Sequence, residues 1–97
     1  MSGLEPWMRG SIESEIDDLV EMMDVLDSMF QQADIAPTEE AYIAFTYGHM
    51  MAMAQSLYKL VEDEEMPKEA MDEVGRIISR RRPEILGAFR EEFEPDQ

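Results

Sequence analysis

The chain has no cysteine, a single histidine, a single tryptophan and only eight basic residues against 23 acidic ones. Without cysteine there are no disulfides and no thiolate chemistry, which fits a reducing compartment. One histidine is too few for a nitrogen-rich metal centre, and His49 has no Glu three or four residues away to form the Glu-x-x-His arrangement of di-iron bundles. None of Ser11, Ser14, Ser28, Ser56 and Ser79 lies in a Gly-x-Ser-x-Gly context, and no glycine-rich phosphate loop occurs. These absences argue against an enzyme and leave no cofactor to expect. The opening residues Met1 to Pro6 lack a basic stretch followed by an apolar one, so no signal peptide is expected and the cytoplasm is the expected location.

What remains is an acidic chain with apolar mass. Of 97 residues 44% are apolar, ten are Met, and the net charge is −15, enough hydrophobicity for one globular domain over residues 1–97. Such a charge repels phosphate backbones and anionic headgroups, so neither nucleic acid nor a membrane surface is an expected partner. The charge is uneven: residues 76–97 hold five Arg and five acids and are neutral, whereas residues 1–75 carry the whole −15.

Periodicity gives an all-α fold. Ile12, Ile16, Leu19, Met23, Leu26, Phe30 and Ala33 recur at four-three spacing, which predicts a first helix over 11–33, capped by Ser11 and preceded by an N-terminal arm, 1–10. On its other side Glu13, Asp17, Glu21 and Asp24 form an acidic ribbon, most simply a solvated face. Pro37 and Thr38 announce a second helix from about 38 to 61, with Ile43, Tyr47, Met50, Ala54, Leu57 and Val61 as its core stripe. Between Ala41 and Tyr58 no side chain carries a fixed charge, so this helix is expected to be buried on nearly every side. Its three Tyr, Thr46, His49, Gln55 and Ser56 are too polar for a membrane span. Ala70, Met71, Val74, Ile77 and Ile78 predict a third helix over 67–82. Pro83 then breaks or kinks the chain before a short fourth helix over 84–93 and a frayed tail, 94–97. The expected architecture is a small antiparallel bundle of three longer helices and a short C-terminal one, dimerising.

Two surfaces stand out as candidate sites. On the second helix Ala44, Gly48, Ala52 and Ser56 recur every four residues, and with Phe45, His49 and Met53 they are the expected homodimer interface, because small side chains let two backbones approach closely. Arg76, Arg80, Arg81 and Arg82 are a candidate partner-binding cluster. Against it stands local pairing of Asp72 with Arg76 and of Arg80 with Glu84. Arg81 is expected on the apolar stripe, its stem covering the core edge and its head reaching water or a carboxylate. Met22, Met23 and Met29 with Met50, Met51 and Met53 fill the core or form a surface that repacks around varied partners.

The spacings Glu15-x-x-Asp18, Glu21-x-x-Asp24 and Glu69-x-x-Asp72 are superficially similar to the magnesium-binding carboxylates of all-α nucleotide pyrophosphohydrolases. A site of that kind needs acids converging on a cavity, whereas Asp18, Glu21 and Asp24 lie off the apolar stripe and few bases remain to hold phosphates. The leading expectation is therefore a non-catalytic interaction module or accessory subunit, a homodimer that also binds another protein. An acidic mimic of nucleic acid toward a basic protein comes second, a carboxylate-dependent metal enzyme third.

Overall fold

The computed structural model describes residues 3–93, and the expected frayed tail lies outside them. The described residues form four α-helices and no strand: α1 Pro6–Glu21, α2 Met23–Gln32, α3 Glu39–Leu57 and α4 Lys68–Phe93, with a π-helical turn Tyr58–Glu62 continuing α3. Helix α3 packs most extensively on α4, α1 packs on both, and α2 touches α4. At about 1.5 Å per residue the 26 residues of α4 span about 39 Å and account for most of the 46 Å long axis.

The first helix departs from expectation at both ends. It begins at Pro6, not Ser11, so the second half of the supposed arm is helical. Proline suits a first-turn position, where its missing N–H costs nothing, and Leu4 and Met8 carry the apolar stripe back from Ile12 into the core. The long helix is also interrupted at Met22 (φ −107°, ψ 32°), whose N–H turns back to the Leu19 carbonyl at 3.1 Å. No glycine or proline marks this break. Asp18, Glu21 and Asp24 repel one another across that turn, which works against a regular helix there. Beyond it, Asp34 adopts the left-handed conformation (φ 59°) that Asp tolerates, and α2 ends.

Thr38 caps α3 as its position predicts, its hydroxyl accepting from the Ala41 N–H at 3.1 Å. The core stripe of α3 differs from the expected one. It consists of Tyr42, Thr46, Met50, Ala54 and, on the π turn, Tyr58, whereas Tyr47 and Val61 are exposed and Ile43 and Leu57 only half-buried. Thr46 can be wholly buried because its hydroxyl donates to the Tyr42 carbonyl at 2.9 Å. Tyr42 stacks on Phe89 of α4 at 5.6 Å between ring centres. Within one chain, then, α3 is buried along one side and not on nearly every side.

The third and fourth predicted helices are one. Pro83 lies inside α4, where it removes the bond to the Ser79 carbonyl and crowds it. Ser79 is exposed, so water can serve that carbonyl. Ile85, Leu86 and Phe89 continue the buried stripe of Val74, Ile77 and Ile78, and their burial outweighs a local cost of about 3 kcal/mol. No helix among the described residues is long and apolar enough to cross a membrane.

Candidate functional site

The charge-free stretch of α3 presents two kinds of residue. Ala44, Gly48, Ala52 and Ser56 are exposed, and a Cβ added at Gly48 would meet nothing within 4 Å. Phe45, His49 and Met53 lie on the flank of this row and are half-buried by the chain itself. Phe45 meets the edge of Phe30 at 6.2 Å and stacks on His49 at 5.8 Å. His49 Nε2 lies 2.9 Å from Glu15 Oε2 and so ties α3 to α1. The seven expected interface residues thus form an exposed small-residue row bordered by a ridge whose aromatic members are held from behind.

The arginine cluster divides in two. Arg81, 13% exposed at its side chain, donates to the Glu13 carbonyl at 2.9 Å and Glu13 Oε1 at 3.0 Å, to Asp17, and to Glu84 Oε2 at 2.6 Å. Those partners, the hydrogen bonds that Arg81 donates to Glu84 foremost, raise its already high pKa. Arg80 pairs with Glu13 and not with Glu84, and Asp72 pairs with Lys68, not with Arg76. The local pairings expected for this segment are therefore replaced by a clasp between α4 and α1. Arg76 and Arg82 remain exposed and add only the smallest contributions to two lowered carboxyls, Glu73, held low chiefly by Arg9, and Glu39, held low chiefly by its hydrogen bond from Arg90 at 2.7 Å.

This clasp runs through the acidic ribbon, which is a solvated face at Asp17, Glu21 and Asp24 and half-buried at Glu13. Glu13 and Asp17 are neutralised by Arg80 and Arg81, and only Glu21 and Asp24 stay exposed without an ion pair among the described residues. The methionines divide as well. Met23 and Met50 are core, Met51 and Met53 are half-buried, and Met22 and Met29 are exposed. Among the described residues no three acidic or histidine side chains converge to hold a metal ion.

A second tie joins the N-terminal segment to α4. Glu73 of α4 accepts from the Leu4 N–H at 2.8 Å and from Arg9, whose guanidinium also donates to the Leu4 carbonyl at 3.1 Å. The Arg9 hydrogen bond is the main reason the Glu73 carboxyl is held below the usual carboxylate range. Tyr58 donates to the Gly3 carbonyl at 3.1 Å, and a Cβ at Gly3 would come within 2.8 Å of Glu73 Oε1. The four-residue spacing of Leu4, Met8 and Ile12 was the signal that the N-terminal segment packs. Nothing in the sequence pointed to Glu73. No family model matches the chain, and neither the curated proteins nor the solved structures contain a match to it.

Proposed function

We propose that the chain is a non-catalytic helical interaction module, an antiparallel bundle that works as a homodimer through the outer side of α3 in a cytoplasmic setting. One observation carries this reading: the row Ala44, Gly48, Ala52 and Ser56 is exposed in the single chain and lies in a segment without a fixed charge from Ala41 to Tyr58. Water gains little from such a surface, whereas a second α3 packed against it brings backbone close to backbone and excludes solvent from both.

The charges that end the segment favour one arrangement. Glu40 precedes it and Lys59 follows it, about 28 Å apart along the helix. In a two-fold pair crossing antiparallel at about 20°, each Glu40 approaches the partner's Lys59, whereas parallel helices would set like against like. Sedimentation or light scattering at micromolar concentration tests the reading. A dimer is expected, and Gly48→Leu is expected to convert it to monomer or aggregate by overfilling the contact. A stable monomer for the unmodified protein would overturn it.

A further inference from the structure

The exposed side of α2 is a surface of a different kind. Met22, Val25 and Met29 follow one another at helical spacing and are 45%, 44% and 46% exposed, an apolar row about 10 Å long with none of the small residues that bring helices close. Isolated exposed apolar side chains are common on proteins, but Val25 and Met29 on α2 with Met22 at its cap form a ridge. Two of the three are methionines, whose flexible thioethers adapt to the shape laid against them.

The border of this ridge is acidic. Asp18 and Glu21 come four residues before Met22 and Val25, Asp24 lies about 100° around α2 from Val25 on the side towards Glu91 and Glu92, and all three acids are exposed without an ion pair among the described residues. Helix α1 ends at Glu21 with no base in its last turn, so Asp18 and Glu21 stand at the negative end of its dipole. The start of α2 at Met23 offsets that dipole, so what a cation laid there would gain comes from the unpaired carboxylates.

We propose that the ridge of Met22, Val25 and Met29 docks an amphipathic helix of another protein, one whose apolar stripe is flanked by Lys or Arg. The apolar row supplies the contact area, and Asp18, Glu21 and Asp24 select for positive flanks and speed the encounter. A second copy of this chain is a poor occupant. The same ridge on that copy would set the acids against their equivalents, its Arg80 and Arg81 are already engaged with Glu13, Asp17 and Glu84, and its exposed Arg76 and Arg82 lie on α4 with no exposed apolar row beside them. Docking here does not depend on self-association through α3.

The probe for the test is a synthetic leucine–lysine peptide patterned at the helical period, with a scrambled peptide of identical composition beside it. Fluorescence anisotropy of the labelled peptides against the full chain should show the patterned one binding about tenfold or more tightly than the scrambled one. The double substitution Val25→Asn with Met29→Gln should remove most of that difference while the far-UV spectrum stays helical. Neutralising Asp18, Glu21 and Asp24 to their amides should weaken binding and flatten its salt dependence. Neutralising Glu62, Asp63 and Glu64, the same number of charges elsewhere, should do so far less. Carbon-13 methyl resonances of Met22 and Met29 should move on titration while that of buried Met50 stays. The proposal is overturned by an absence of binding, by equal affinity of the two peptides, by equal effects of the two neutralised triplets, or by unmoved Met22 and Met29 methyls. Repeating the titration with Gly48→Leu separates the two readings, since that variant alters self-association and leaves the α2 ridge intact.

Discussion

Replacing Arg81 with alanine is expected to destabilise the protein by about 2–3 kcal/mol. Its guanidinium holds the Glu13 carbonyl, the Glu13 and Asp17 carboxylates and Glu84 at once, and only 13% of its side chain is exposed. Hydrogen bonds involving a charged partner are worth about 1.5–3 kcal/mol each when buried. The acids here are 30% to 62% exposed, so water recovers much of what they lose and the sum stays near the value of one good bond. Arg80→Ala, removing a side chain 62% exposed, should cost at most about 1 kcal/mol. Two further substitutions divide the effect. Arg81→Met keeps the apolar stem and loses the head, and Arg81→Lys keeps the charge and loses the planar fork, so both should fall between wild type and alanine. Urea unfolding monitored by far-UV circular dichroism measures this, with an unchanged slope identifying a pure stability effect. Equal midpoints for Arg81→Ala and Arg80→Ala would refute the clasp and place both arginines in solvent.

Three other outcomes follow from the packing. Leu26→Ala should cost about 2–5 kcal/mol because Leu26 is 3% exposed in the core, and a negligible shift in the urea midpoint would remove it from the core. Tyr42→Phe should be neutral or stabilising by about 1 kcal/mol, since the Tyr42 hydroxyl is buried without a hydrogen-bond partner among the described residues and burial pushes its pKa up to about 12. A clear loss of stability would show that the hydroxyl is satisfied. Glu73, its carboxyl held low chiefly by Arg9, contributes stability that is complete above the ordinary carboxylate range and is lost as pH falls through its depressed folded value. Glu73→Gln should therefore unfold with a shallower pH dependence in acid than the wild type, and identical acid profiles would exclude the role.

Helix content was legible because Ile12, Ile16, Leu19, Met23, Leu26 and Phe30 keep the four-three spacing that only a helix turns to one side, and each is buried. The stem-buried position of Arg81 was legible for the same reason, one turn beyond Ile77 and Ile78. The α3 stripe was misjudged because Thr46 counts as polar in a periodicity argument, yet a threonine that bonds its own helix backbone enters a core freely. Pro83 was overweighted, since its penalty is local and the burial of Ile85, Leu86 and Phe89 comes from partners distant in sequence. The partners of the arginines were illegible altogether. Spacing along one helix suggested Glu84 for Arg80, but acids 64 to 68 residues away on α1 compete for the same cations and only the folded chain decides between them.

The clasp has a consequence for the order in which the protein is made. The groups of α4 that hold α1 by hydrogen bonds and ion pairs, Glu73, Arg80 and Arg81, are made 64 to 68 residues after their partners Arg9, Glu13 and Asp17. Residues 1–75 hold 18 acids and three bases, so the segment made before the arginines of residues 76–97 is strongly acidic. At about 5–20 residues per second that separation takes on the order of 3 to 14 seconds, during which Glu13 and Asp17 lack the cations that pair with them. Emergence of α4 thus delivers the arginines and the apolar stripe against which α1 packs together, and a nascent chain arrested before Glu73 would have to keep that stripe covered by other means.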